Sequence, residues 1–109
     1  MSTSVRLFYS PLKTKKYRVK FYKNGILYKT IDFGGKGYRD FTLMNNKDNK
    51  HYNSNIKDKE AVRQRYIKRH DKENWKDPYT AGSLSRWILW EKPTINEAWE
   101  GFKKRFNFT

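Results

Sequence analysis

Four large apolar residues stand next to one another at positions 87–90, in the order Trp87, Ile88, Leu89 and Trp90. In no other stretch of the chain do four such residues stand together, and elsewhere lysine and arginine separate most of them. A helical turn that is apolar on every side has to be covered on most of those sides. We therefore expect the rest of the chain to pack around this turn.

The length of 109 residues is that of one domain, which we place at residues 1–109. Aromatic residues make up 17% of the chain, so a few large side chains can fill a modest core. Cysteine is absent, which excludes disulfides, cysteine-bound zinc and a thiol nucleophile. No apolar run approaches the ~20 residues that span a bilayer, and residues 1–6 lack the apolar core of a signal peptide. The sequence therefore predicts a soluble, intracellular protein.

Alternating apolar and polar residues in positions 1–44 predict an antiparallel sheet of about four strands. The predicted strands are Val5–Tyr9, Lys15–Lys23, Ile26–Phe33 and Tyr38–Leu43. In the first strand Val5, Leu7 and Tyr9 share one side of the sheet. The polar residues 45–55 predict a loop.

The turn signal Asn24-Gly25 allows two registers for the second hairpin. A two-residue loop pairs Phe21 with Tyr28, whereas a three-residue loop that begins at Lys23 pairs Phe21 with Leu27. The longer loop is favoured because it gives the sheet one consistently apolar face. In that register the face carries Tyr17, Val19, Phe21, Leu27, Ile31 and Phe33.

Helical spacing of apolar residues predicts about three helices in residues 56–109. The first runs from about Ser54 to His70, and the second from Ala81 to Trp90 with Thr80 as its N-cap. The third begins at a capping box formed by Thr94 and Glu97. The apolar residues that support the first and third helix are Ala61, Val62, Tyr66 and Ile67, and Ile95, Ala98, Trp99, Phe102 and Phe106. The expected fold class is α+β, with an N-terminal antiparallel sheet followed by helices packed on one face.

The formal net charge of +14 is the strongest functional signal in the sequence. Such self-repulsion destabilises a compact chain unless a polyanion offsets it, and nucleic acids and anionic membranes are the natural polyanions. A high lysine content can also serve solubility alone or reflect codon bias in the genome, and this alternative to a polyanion partner stays open. We expect contacts to the nucleic-acid backbone without base readout, with double-stranded DNA favoured and RNA as the other candidate.

Two groups of basic residues are the candidate nucleic-acid-binding sites. On the outer face of the sheet, Lys16, Arg18 and Lys20 form a row with the spacing of about 6.6–6.8 Å between alternate strand residues, and Lys16 is expected to face Asp32. The first group is Lys13, Lys15, Lys16, Arg18, Lys20, Lys23, Lys36 and Arg39; the second group is Arg63, Lys68, Lys72, Lys76, Lys103, Lys104 and Arg105. Two separate groups would let one molecule, or a self-associated pair, bridge two duplexes.

Three tyrosines are expected to lie exposed beside these cations. They are Tyr22, Tyr28 and Tyr38. Such rings stack on unpaired bases in nucleic-acid-binding proteins, or pack against the aliphatic stems of lysine side chains.

Catalytic signals are weak, and the sequence predicts no enzyme, no metal site, no cofactor and no small-molecule substrate. The loop Gly34–Gly37 lacks both the spacing and the Lys-Ser/Thr pair of a P-loop. The run His70–Glu73 holds an imidazole and two carboxylates, but neighbouring residues on a helix point apart. No serine sits in a nucleophile elbow, and His51 and His70 with scattered carboxylates are a poor set of metal ligands.

The stretch from Tyr66 to Thr94 resembles small, uncharacterised basic proteins of giant nucleocytoplasmic large DNA viruses (Mimivirus-like and relatives). The matching residues are Tyr66-Ile67, Arg69-His70, Glu73, Trp75, Asp77, Thr80-Ala81-Gly82, Ser85-Arg86-Trp87, Leu89-Trp90 and Lys92-Pro93-Thr94, and the pattern continues weakly to Lys104-Arg105-Phe106. An acidic residue often follows Glu73 in these relatives, where this chain has Asn74. The resemblance implies a viral context, in the virion interior, the host cytoplasm or the virus factory, and it implies no activity.

Most of this motif is expected to serve the fold. The residues expected in the core are Trp75, Trp87, Trp90 and Trp99, and those expected in a partly buried ion network are Arg69, Glu73 and Arg86. The leading hypothesis is a non-sequence-specific nucleic-acid-binding protein that condenses and packages viral DNA in the virion core. The alternatives are a structural, capsid-associated virion protein and a host-directed RNA-binding effector.

Overall fold

The computed structural model describes residues 2–109 and has an α+β fold that begins with a sheet. Within these residues the sheet has three antiparallel strands in the order β1-β2-β3. The strands are β1 (Thr3–Tyr9), β2 (Lys15–Lys23) and β3 (Ile26–Gly35). The alternation of apolar and polar residues therefore predicted these strands correctly, apart from two further residues at the start of β1 and at the end of β3.

The hairpin between β2 and β3 has a two-residue turn, so the predicted three-residue loop is wrong. Lys23 pairs with Ile26 across Asn24 and Gly25. The φ angles of these two turn residues are 51° and 78°, which is the left-handed conformation that a tight turn of this kind requires.

A β-bulge at Tyr28 restores the apolar face that the short turn alone would have lost. Tyr22 pairs with Leu27, but Phe21 pairs with Lys29, so Tyr28 is an extra residue in β3. Leu27 therefore leaves the predicted face and lies exposed. The other predicted members remain on that face, namely Tyr17, Val19, Phe21, Ile31 and Phe33.

The predicted fourth strand at Tyr38–Leu43 is wrong, because this segment begins a helical turn, α1 (Phe41–Met44). Asp40 caps the turn. Its carboxylate accepts hydrogen bonds from the Leu43 amide at 3.0 Å and from the Thr42 hydroxyl at 2.6 Å. A residue that caps a helix in this way ends the extended path of the chain.

The helices predicted after residue 55 lie where the sequence placed them. They are α2 (Ile56–Arg69), α3 (Ala81–Leu84), which continues into a π-helical turn (Ser85–Leu89), and α4 (Ile95–Phe106). The side chains that cap α2, α3 and α4 are Asn55, Thr80 and Thr94. Among residues 2–109, no helix is both long enough and apolar enough to cross a membrane.

The apolar turn at residues 87–90 is covered by the rest of the chain, as its sequence predicted. Ile88 and Leu89 are buried, and the ring of Trp90 stacks on Tyr66 of α2 with 4.3 Å between ring centres. The buried cluster around them includes Val5, Val19, Phe21, Phe33, Met44, Val62, Leu84 and Phe102. The core therefore lies between the inner face of the sheet and the helices.

Candidate functional site

Two cations of the row predicted on β2 are held by carboxylates. Lys16 Nζ lies 2.7 Å from Oδ2 of Asp40, which is buried. Lys16 does not face Asp32 as predicted, because the bulge in β3 places Arg18 there. Arg18 donates two hydrogen bonds of 3.0 Å to Asp32, and these bonds lower the pKa of that carboxyl below its usual range. The row therefore offers less available charge than the sequence indicated.

Glu91 gathers several arginines of the helical half into one structural cluster. Its Oε1 lies 2.7 Å from Arg63 and 3.0 Å from Arg86, and its Oε2 lies 3.9 Å from Arg105. Arg63 also donates its Nε–H to the Trp90 carbonyl at 2.6 Å. Burial opposes the ionisation of Glu91, but the hydrogen bonds and charges of Arg86 and Arg63 outweigh it and lower the pKa. Arg63, predicted to bind nucleic acid, therefore serves the fold first.

The predicted ion network of Arg69, Glu73 and Arg86 is wrong. Glu73 pairs with His70, whereas Arg86 belongs to the cluster around Glu91. Gly82 makes room for this arrangement, since a side chain at that position would collide with the Glu73 carboxylate. Arg69 is exposed and has no ion pair among residues 2–109. Within the same range, no three His, Cys, Asp or Glu side chains come together to hold a metal ion.

The tryptophans differ in burial more than the sequence predicted. Trp90 is buried, and Trp87 and Trp99 are half-buried at the edge of the core. Trp75 is half-buried but does not pack against the core cluster, so its predicted place in the core is wrong. Trp87 donates its Nε1–H to the Trp75 carbonyl at 2.9 Å, and the guanidinium of Arg105 lies 3.6 Å from the centre of its ring. These contacts join the π-helical turn to α4 and to the segment before α3, so the motif serves the fold.

A cleft with a volume of about 510 Å³ opens between the start of β2, the end of β3, the residues before α1, and helices α2 and α3. Its basic lining residues, which define it here as the cationic cleft, are Lys15, Lys16, Arg39, Arg65, Arg69 and His70. Its two carboxylates among residues 2–109, Asp40 and Glu73, already pair with Lys16 and His70. Of the lysine and arginine side chains that line the cleft, those that form no ion pair among residues 2–109 are Lys15, Arg39, Arg65 and Arg69. The cleft therefore carries positive charge that the fold does not neutralise.

A second depression, of about 540 Å³, adjoins the cationic cleft and shares Lys16 and Tyr38 with it. Its aromatic and basic lining residues, which define it here as the tyrosine groove, are Tyr9, Tyr17, Tyr38, Lys36, Lys50 and His51. Tyr9 is 84% exposed and Tyr38 is 75% exposed. Burial, together with nearby Tyr9 and Asp40, raises the pKa of Tyr17 to about 12. The groove thus presents tyrosine rings beside lysine side chains.

The other predicted basic residues are spread over the surface. Lys103 pairs with Glu100 at 3.1 Å, and the ammonium groups of Lys20 and Lys23 lie over aromatic rings. Besides Lys23, those that are exposed and have no ion pair in residues 2–109 are Lys13, Lys36, Lys68, Lys72, Lys76 and Lys104. Lys36 belongs to the tyrosine groove, and the rest form a dispersed positive surface.

The tyrosines predicted to stack on bases have different surroundings. Tyr38 lines both depressions. Tyr22 is half-buried, and the ring of Tyr28 lies 3.8 Å below the ammonium group of Lys23. Of these three rings, only that of Tyr38 therefore lies at a concave, positively charged site.

Sequence reasoning did not assign Arg65, Arg69 or Tyr9 to a nucleic-acid-binding site, and it placed Arg69 in the ion network instead. Arg65 and Arg69 stand four positions apart on α2, a spacing that places side chains on the same face of a helix and was an available signal. Tyr9 follows the alternation of β1 toward the inner face, but it lies at the end of the strand, beyond the buried cluster.

One family model, described as a family of unknown function (DUF5754), matches residues 5–70 of the chain. This span includes nearly all of the sheet, α1 and α2, and with them Lys15, Arg39, Arg65 and Arg69 of the cationic cleft. Most of the stretch from Tyr66 to Thr94, which is the tryptophan-rich segment, lies outside it. No curated protein and no solved structure matches the chain.

Proposed function

The chain belongs to the DUF5754 family, whose function is unknown, and we propose from its surface that it binds nucleic acid through the phosphate backbone without reading sequence. The observation that carries the proposal is the cationic cleft. There Lys15, Arg39, Arg65 and Arg69 form no ion pair among residues 2–109, although the same chain pairs other cations closely and the charge of Lys15 acts on Asp32 from a longer distance. A polyphosphate supplies the negative charge that this surface lacks.

The composition of the cleft favours phosphate groups over other anions. The unpaired arginines present planar N–H donors that bind two phosphate oxygens at once. Lys36 and Lys50 extend the positive surface along the adjoining groove. Contacts of this kind hold the backbone and carry no sequence information. Among the described residues, no asparagine or glutamine, the side chains that read adenine, lines the cleft.

Condensation of viral DNA is the more specific form of this proposal. Its viral part, with a place in the virion interior or the virus factory, rests on the resemblance of the tryptophan-rich segment described above. Its physical part rests on the dispersed lysines, among which Lys68, Lys72, Lys76 and Lys104 are exposed and lie outside the cleft. A second positive surface lets one molecule bring two duplexes together.

A salt titration of binding tests the proposal. Gel shifts with a random duplex and with a random single strand, at increasing NaCl, give the slope of log K against log salt. We expect Arg39→Gln/Arg65→Gln/Arg69→Gln to weaken binding at least about tenfold. The slope should fall by about 0.9 for each duplex phosphate that the variant no longer neutralises.

The matched control removes the same charge elsewhere. In Lys47→Gln/Lys57→Gln/Lys92→Gln the three lysines are exposed and lie outside the cationic cleft and the tyrosine groove. We expect this variant to bind nearly as well as the wild type. Equal losses in both triple variants would leave net charge, rather than the cleft, as the cause. A wild type that ignores both nucleic acids at low salt would refute the proposal.

An exposed apolar edge favours a second candidate function, as a structural protein that assembles with itself in the virion. Within residues 2–109, β3 is an edge strand, and its first residues Ile26, Leu27 and Tyr28 are 73%, 52% and 53% exposed. Such an edge can pair with another strand. Sedimentation equilibrium tests this: assembly of the wild type, abolished by Ile26→Lys/Leu27→Lys, would support it, and a monomeric wild type would exclude it.

A further inference from the structure

The cationic cleft and the tyrosine groove form one continuous concave surface, because Lys16 and Tyr38 line both. Lys16 Nζ donates to the Tyr38 carbonyl at 2.6 Å and to Asp40 Oδ2 at 2.7 Å, which anchors the backbone at their junction. Each depression lies within the range of about 300–1,000 Å³ that is typical of sites for small organic ligands. A group the size of a nucleotide fits either one.

The ring of Tyr38 lies close to the backbone of Gly35 at this junction. A side chain at Gly35 would lie 2.8 Å from Cδ2 of Tyr38, so the ring rests directly on the glycine backbone. The Tyr38 amide also donates to the Gly35 carbonyl at 3.3 Å. The ring is nevertheless 75% exposed. The ring is therefore held at Gly35 while most of its surface stays accessible to a stacking partner.

Tyr9 ends a column of stacked rings that begins in the core. Its ring centre is 5.6 Å from that of Tyr17 with an interplanar angle of 21°, and Tyr17 is 5.9 Å from Phe33 with an angle of 28°. Phe33 is fully buried, whereas Tyr9 is 84% exposed. The column thus runs outward from the core, and its last ring can receive one more aromatic plane.

We propose that this surface holds an unpaired nucleic-acid strand, whose bases stack on Tyr9 and Tyr38 while its phosphates contact Arg39, Arg65 and Arg69. The inference deepens the proposed function and rests on it. Exposed rings beside cations are the pattern by which proteins bind single strands of any sequence. In a duplex the base faces are covered by their neighbours, so only an unpaired strand can use the two tyrosines.

Fluorescence anisotropy tests this with a labelled thymidine oligonucleotide and with a labelled duplex of the same length. We expect the wild type to bind the single strand more tightly. Tyr9→Ala/Tyr38→Ala should weaken single-strand binding about tenfold or more for each ring removed and leave duplex binding unchanged. Tyr9→Phe/Tyr38→Phe should restore the affinity, because it keeps both rings. Both positions are largely exposed, and a thermal melt checks that the variants are folded.

The control is Tyr52→Ala, which removes an exposed tyrosine that lines neither depression. It should leave single-strand affinity unchanged. The inference falls if the duplex binds more tightly, if the paired alanine variant loses nothing, or if it loses duplex affinity equally. Duplex binding that still depends on Arg39, Arg65 and Arg69 would leave the proposed function standing without the inference. If the wild type bound neither the single strand nor the duplex, the proposed function and the inference would both be refuted.

Discussion

Glu91 is the single carboxylate on which the helical half of the molecule most depends. It accepts hydrogen bonds from Arg63 on α2 and from Arg86 in the π-helical turn, and Arg86 is buried. When one partner of a buried pair is removed, the other charge stays buried alone, at a cost of about 3–5 kcal/mol. Glu91 therefore joins these two elements through charge, in addition to the stacking of Trp90 on Tyr66.

We expect Glu91→Gln to lower the free energy of unfolding near neutral pH by about 2 kcal/mol, because the amide keeps an acceptor but loses the charge. The folded-state pKa of Glu91 is lowered, so its stabilisation is fully present above the unfolded pKa of about 4.3. That stabilisation is lost as the pH falls through the folded value. Urea unfolding should therefore show a deficit near neutral pH that shrinks in acid. A deficit that does not change with pH would contradict the ionic role of Glu91.

The glycines with left-handed backbone differ in what surrounds them. Gly25 and Gly34 have φ angles of 78° and 79°, but a side chain at Gly34 would lie 2.9 Å from Cδ1 of Leu89, while one at Gly25 meets nothing within 4 Å. We expect Gly25→Ala to cost about 1–2 kcal/mol, which reflects the backbone conformation alone. Gly34→Ala should cost about 1–3 kcal/mol more, because it overfills the core. Urea unfolding compares the two, and equal losses would show that Leu89 moves aside freely.

Among the elements, the β2–β3 hairpin shows how far sequence patterns reach. Alternation predicts which residues face the core, and the dipeptide Asn24-Gly25 favours a two-residue turn, but the two signals require different registers. The molecule satisfies both by adding Tyr28 as a bulge. Nothing near Tyr28 in the sequence marks a bulge, so a choice between two turn lengths could not find this third solution.

The segment Tyr38–Leu43 shows the same limit for a helix. Its alternation fits a strand, and Asp40 followed by a short apolar stretch also fits a helix start. In the fold Asp40 caps the helix, and Lys16, which is 24 positions away, also holds its carboxylate in place. Local propensity weighs the two alternatives without this long-range contact.

In contrast, the sequence did predict the cap of α4, and this cap gives a testable prediction about the stability of the helix. Thr94 Oγ1 accepts a hydrogen bond from the Glu97 amide at 3.2 Å. We expect Thr94→Ala to lower the free energy of unfolding by about 1 kcal/mol and Thr94→Ser to restore most of it. Urea unfolding measures both, and a serine variant as weak as the alanine variant would mean that the hydroxyl is not the stabilising group.

For the whole molecule, the position of the candidate site could not be read from composition. The chain has 25 lysines and arginines against 11 aspartates and glutamates, so the sequence shows that many cations stay unpaired. Which ones do so depends on where the carboxylates lie in the fold. Lys16, Arg18 and Arg63 take up three of them. Lys15 and Arg39 line the same cleft as Arg65 and Arg69 only because the fold places the start of β2, the residues before α1 and helix α2 around it.

The net charge of +14 gives a prediction for the molecule as a whole. We expect the Tm to rise as NaCl increases over a range of about 20–300 mM, because salt screens the repulsion among the cations. The variant Lys47→Gln/Lys57→Gln/Lys92→Gln carries less charge and should show a smaller rise. Differential scanning calorimetry measures both. A Tm that falls with salt would mean that attractive pairs such as those at Glu91 outweigh the repulsion.

The bond between Lys16 and Asp40 also has a kinetic consequence. Lys16 and Asp40 in the cationic cleft already pair with each other, while Arg39, Arg65 and Arg69 form no ion pair among residues 2–109. An arriving polyanion would therefore have no existing ion pair to displace. Stopped-flow association should then be a single exponential whose rate rises linearly with ligand concentration, with no plateau from a slow rearrangement, and that rate should fall with ionic strength.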